Sequence, residues 1–155
     1  MEQLESIRES VRIARPRERV WRYLVEPASV AQWLGCLEYA ERVGQVFYMQ
    51  PDDAKRGAGV IDGATHCEVL ELGAPERFVF SWYLPGTPKT TVAITLRDDG
   101  DGGTLVELEH SGWDQFERPA VEAIHAMLTG GWRSQVLPGL RSLVERSETS
   151  GHPAA

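Results

Sequence analysis

No apolar run in this 155-residue chain approaches the roughly 18 residues that a helix needs to cross a bilayer, so a membrane-spanning helix is excluded. The opening residues, Met1-Glu2-Gln3-Leu4-Glu5-Ser6, lack the basic and apolar regions of a signal peptide, and the expected location is cytoplasmic. Basic charge is scarce as well: 16 Lys and Arg against 23 Asp and Glu leave a net charge of −7. A nucleic-acid binder needs a basic face to release phosphate counterions. The densest basic stretch, Arg15 to Arg19, is interrupted by Pro16 and Glu18 and reads as a solvated helix face. Neither nucleic acid nor an anionic membrane surface is expected as a partner. Cysteine is limited to Cys36 and Cys67, with no C-x-x-C pairing, which predicts free, half-buried thiols in place of a disulfide framework.

What is present is one long β-patterned region and one long amphipathic helix. Ile7 to Ile13 reads as a strand, with Ile7, Val11 and Ile13 of one parity. Pro16 sits where a helix begins, and Arg17 to Val25 carries Val20, Trp21 and Leu24 on one side. Pro27 forces a bend and opens a second short helix, Ala28 to Leu34. From Leu37 to Glu109 the pattern is β: candidate strands are 37–43, 45–50, 64–72, 77–84, 90–97 and 104–109. The polar, glycine-containing stretch from Pro51 to Gly63 reads as a hairpin loop. A helix follows over roughly residues 119 to 146, its apolar stripe formed by Val136, Leu140, Leu143 and Val144. Gly130-Gly131 and Pro138 predict a kink, because both are costly in a helix interior. Residues 1–147 read as a single domain and 148–155 as a flexible C-terminal tail.

The fold class is therefore α+β: a curved antiparallel sheet of about six strands wrapped around one long C-terminal helix, with two short helices after the first strand. One helix cannot close a large curved sheet flush, and such geometry leaves room for a ligand.

Four segments carry a resemblance. They are Ala14 to Leu24 (Ala-Arg-Pro-Arg-Glu-Arg-Val-Trp-Arg-Tyr-Leu), Pro27 through Trp33-Leu34-Gly35, the strand Glu76-Arg-Phe-Val-Phe-Ser-Trp, and His110-Ser-Gly-Trp with the distal Gly131-Trp132. In this order they resemble the START-like (SRPBCC) superfamily, in its branch homologous to the activator of the ninety-kilodalton heat-shock chaperone's ATPase. The resemblance spans residues 6 to 146 and implies a helix-grip fold with a cavity. It carries activity poorly, since the family is functionally mixed. Pro138 and the extended 51–63 loop depart from the family pattern, and both bear on the cavity mouth.

Strand alternation places Phe78, Phe80 and Trp82 on the helix-facing side, together with Val92, Ile94, Leu96, Val106, Leu108 and His110. The candidate ligand-binding residues are Trp33, Phe47, Met49, Phe80, Trp82 and Ile94, with Leu108, His110, Trp132 and Val136. His110 or Tyr48 would orient a ligand, although a lone histidine on an apolar face is more often a hydrogen-bonded structural group. Ser111 points away from His110, which disfavours a nucleophile–base pair, and no catalytic residue is assigned. His66, Glu68 and His110 lack a metal-binding spacing, so neither metal nor cofactor is expected. Glu107 and Glu109 read as surface charge. The expected function is binding of a small apolar or aromatic ligand, lipid included, by a monomer or homodimer. The alternatives are an enzyme of cyclase or hydrolase type using polar cavity residues, and a chaperone-regulating interaction module. A single short domain predicts that the chain does not stimulate a chaperone ATPase by itself.

Overall fold

A computed structural model of the protein describes residues 6–50, 52–115 and 118–150. Strand β1 (Ile7–Ile13) turns Ile7 and Ile13 inward and Arg8, Ser10 and Arg12 outward, as a period of two requires. Helix α1 (Arg17–Val25) buries Val20, Trp21, Leu24 and Val25. Pro27 has no N–H to continue α1. Glu26 adopts extended backbone and α2 (Pro27–Trp33) restarts with proline in its first turn. The two helices carry the chain from one edge of the sheet to the other, where β2 (Cys36–Leu37) begins.

The strand expected over Leu37–Val43 is only those two residues long. Glu38 takes a positive φ of 64°, which breaks the strand, and Tyr39 folds beneath the sheet. Its hydroxyl donates to the Val25 carbonyl at 2.7 Å, and its ring meets Phe47 edge-on at 5.3 Å. After β3 (Val46–Met49), the expected hairpin loop contains a one-turn helix, α3 (Asp53–Gly57). The Asp52 carboxylate accepts the Lys55 N–H at 2.9 Å and so caps it.

Strands β4 (Thr65–Gly73), β5 (Arg77–Tyr83), β6 (Thr90–Asp98) and β7 (Thr104–Ser111) complete a seven-stranded antiparallel sheet, against about six expected. The order is β1-β7-β6-β5-β4-β3-β2, with the short β2 at one edge. Phe78 pairs with Ile94, Phe80 with Val92, and Ile94 with Leu108, all on the inner face and all buried. A bulge between Val69 and Glu71 leaves Leu70 exposed and increases the local twist of the sheet.

The C-terminal helical segment comprises α4 (Arg118–Gly131), a π turn (Trp132–Val136) and α5 (Leu137–Ser150). The expected kink takes the form of that π turn, while Gly130 and Gly131 stay in regular helix. The Leu137 N–H bonds to the Trp132 carbonyl, five residues back. Pro138 supplies the cause: it cannot donate, and its ring would strike the carbonyl four residues before it unless the turn widened. Beyond the turn, Leu137, Leu140, Leu143 and Val144 are buried, where α5 packs against α1, α2 and β1. The helix persists to Ser150, past the expected start of the tail; residues 151–155 and the leading 1–5 lie outside the described residues.

Candidate functional site

Helix and sheet part at one end of the molecule, between α2, the β2–β5 side of the sheet and the π turn. A cavity of about 400 Å³ opens there. Trp33 and Leu34 from the end of α2, Met49 from β3 and Trp82 from β5 form its sheet-side walls. Met127 and Leu128 of α4 and Val136 of the π turn face them. Gly35, Gln50, Arg56 and Thr65 lie towards the 51–63 segment.

Gln50 organises that segment. It is buried, and its amide nitrogen donates to the carbonyls of Val60 and Asp62, both at 3.0 Å, while its amide oxygen accepts the Asp52 N–H at 3.1 Å. Among the described residues, Arg56 is the one charged residue on the lining. Its guanidinium donates to the Gln50 carbonyl at 2.7 Å and to the Asp53 carboxylate at 2.7 Å. It packs over Gly35, whose φ of 66° suits glycine and where a Cβ would sit 3.4 Å from a guanidinium nitrogen.

His110 lies deeper, fully buried among Trp82, Trp113 and Trp132. Counting protons fixes its state. Thr90 Oγ1 donates its single proton to the Trp82 carbonyl at 2.7 Å, so at the 2.7 Å contact with His110 Nε2 it must accept. The Trp132 indole can only donate, and it meets His110 Nδ1 at 3.2 Å. The ring is therefore neutral with its proton on Nε2. Burial, reinforced by nearby His125, lowers its pKa from 6.5 to about 3. With both nitrogens committed, His110 has no free lone pair for a ligand, a metal or a substrate proton.

Of the ten expected site residues, Trp33, Met49, Trp82 and Val136 line the cavity. Phe47, Phe80, Ile94, Leu108, His110 and Trp132 instead pack in the core, each at most 2% exposed. They are inward, as alternation required, but the cavity occupies only the end of the sheet. Tyr48 stands on the opposite face, its ring 5.0 Å from that of His66. Arg56, Gln50, Met127 and Leu128 escaped the sequence reading. A cap at Asp52 was the available signal for the first pair, and the apolar Met127-Leu128 step in α4 for the second.

His66 and Glu68 are on the outer face and His110 on the inner one. Among the described residues no cluster of His, Cys, Asp and Glu could hold a metal ion. Cys36 and Cys67 are free and buried, and burial pushes the Cys36 thiol up to about 12, so both are unreactive hydrophobes at neutral pH. The outer face carries a shallow charged groove of about 420 Å³, where Glu109 pairs with Arg8 at 2.9 Å.

Solved structures share this fold. A protein of Mesorhizobium loti superposes with a TM-score of 0.74 at 24% identity, over 91% of this chain and 97% of its own. A protein of Bacillus halodurans gives 0.70 at 24%, over 93% and 99%. An HSP90 activator from Plasmodium falciparum gives 0.71 at 14%, over 92% and 97%. No curated protein matches the chain. Residues 14–145 match the family model described as activator of Hsp90 ATPase homolog 1-like protein, and the chain belongs to that family.

Proposed function

We propose that the chain binds a small, predominantly apolar molecule in the cavity between its sheet and its C-terminal helix. The observation that carries this reading is the cavity itself: about 400 Å³, walled by two tryptophans, two methionines, Leu34, Leu128 and Val136, with Gln32, Gln50, Arg56, Thr65 and Gln135 as its polar residues. Pockets of that size with apolar walls and few polar groups suit drug-sized ligands. Affinity would come from removing apolar area from water, at roughly 25 cal/mol per Å². His110 has no part in it, since its ring is closed off by Thr90 and Trp132. The carrier would act in the cytoplasm as a monomer or homodimer; among the described residues no helix is long and apolar enough to cross a membrane.

A panel of aromatic and fatty molecules, screened by thermal unfolding and tryptophan fluorescence, tests the reading. A ligand at one hundred times its dissociation constant should stabilise the protein by about 2.7 kcal/mol. Val136→Phe, which fills the cavity, should abolish that shift. A flat melting curve across the whole panel would remove the container reading. A second reading, regulation of a chaperone ATPase, draws on the family's description alone. Several-fold stimulation of a purified chaperone's ATPase at micromolar concentration would establish it; we expect none.

A further inference from the structure

Three threonines are buried in the sheet: Thr65, 8% exposed, and Thr90 and Thr104, at 1% or less. Thr90 Oγ1 donates to the Trp82 carbonyl and Thr104 Oγ1 to the Arg15 carbonyl, both at 2.7 Å. The Thr65 hydroxyl differs, for it makes no hydrogen bond to any described residue. Nor is it sealed in. The unpartnered Ser81 hydroxyl and the Trp33 and Trp82 indole nitrogens are closed off from solvent, whereas Thr65 Oγ1 remains open. Thr65 begins β4 opposite Met49, on the same face as the buried Cys67 and Val69, and both Thr65 and Met49 line the cavity. What little of Thr65 is exposed therefore faces the cavity.

The other polar groups on the lining make no comparable demand. The buried Gln50 amide is consumed by the Val60 and Asp62 carbonyls and the Asp52 N–H. Gln32 and Gln135 are exposed at the rim, where bulk water serves their amides whether or not the cavity is filled. The Arg56 charge is already compensated by the Asp53 carboxylate at 2.7 Å. A molecule seated in the cavity thus covers one buried, unpaired polar group, the Thr65 hydroxyl. Covering it without replacing its hydrogen bond to water is costly. Bringing an ion against it is costlier still, since a neutral hydroxyl gives a charge little in return for its hydration.

We infer that the ligand is a neutral molecule with an apolar body and one hydroxyl, an alcohol or a phenol, and that this hydroxyl pairs with Thr65 Oγ1. A threonine hydroxyl both donates and accepts, and a ligand hydroxyl complements it in either sense. This rests on the cavity-binding reading above and narrows its ligand class. It also makes Thr65 the residue that orients the ligand.

Naphthalene, 2-naphthol and 2-naphthoate share one frame and separate these terms. Titration calorimetry on the full chain gives the preference for naphthol over naphthalene, and Thr65→Val, which keeps the shape and loses the hydroxyl, should reduce that preference about tenfold, the scale of one buried hydrogen bond. Thr65→Ser, which restores a hydroxyl, should restore the preference. Naphthoate should bind more weakly than naphthol. A purely structural Thr65 would instead weaken naphthalene and naphthol alike, because its loss would alter packing and not pairing. An unchanged preference in Thr65→Val, or naphthoate binding tighter than naphthol, overturns this inference and leaves the cavity reading standing. Failure of all three probes to bind overturns both.

Discussion

At the scale of single residues the most constrained group is His110. Its native pKa, lowered to about 3 by burial and by His125, lies far below the 6.5 of an unfolded histidine. Between those values the unfolded chain binds a proton that the native ring refuses. The associated stability is therefore complete above pH 6.5 and lost on acidification, with a slope approaching about 1.4 kcal/mol per pH unit. Protonation would also put an Nδ1–H against the Trp132 N–H. We expect His110→Gln to be less stable than the parent at pH 7 and to lose less stability between pH 6.5 and 4.5. Urea unfolding at a series of pH values measures the difference, and parallel curves for the two proteins would contradict it. That a lone histidine ends an apolar strand face was legible from Val106, Leu108 and His110. That its partners are Thr90 and Trp132 was not, because both contacts depend on how sheet and helix come together.

At the scale of elements, local chemistry explains most of the boundaries. Pro16 and Pro27 set the two short helices, and the residues that alternation assigned inward in β5, β6 and β7 are all buried, although it left out Thr90 and Thr104. The failures have local causes as well. The candidate strand at 37–43 was cut to Cys36–Leu37 by a positive φ at Glu38, which no hydrophobic pattern reports, and the α3 turn hid in a polar stretch read as loop. In the long helix the stripe beyond the π turn was read correctly except for Leu137, and Pro138 marked the disturbance without specifying a π turn as its form. Leu140 is fully buried where α5 meets α1, α2 and β1. Leu140→Ala should cost about 2–5 kcal/mol, as cavity-forming core substitutions do. Denaturant midpoints measure this, and a cost under about 0.5 kcal/mol, typical of surface sites, would mean that α5 does not hold the core.

Taken as a whole, the molecule has a firm side and a loose one. Strands β5 and β6 are hydrogen-bonded on both edges and bury Phe78, Phe80, Val92 and Ile94, whereas β2 is two residues long and pairs only with β3. Hydrogen exchange should therefore be slowest in β5 and β6, through global unfolding, and fast in β2 and α3, through local opening. A ligand in the cavity should slow exchange at the loose side first. Mass-spectrometric exchange with uniform protection across the sheet would contradict this. A space between sheet and helix was expected from the sequence because one helix does not close a curved sheet flush. Its position was not, because alternation separates inside from outside but cannot tell a filled interior from an empty one. The π turn bears on that boundary. It amounts to one residue inserted into an α-helix, so α4 is offset from α5 by about 100° of rotation. Met127 and Leu128, upstream of the offset, are indexed to the cavity, while Leu140 and Val144, downstream, are indexed to the core. Insertions and deletions between residues 132 and 136 therefore act as a phase control. They can present a different face of α4 to the cavity while the clamp that holds the fold keeps its register.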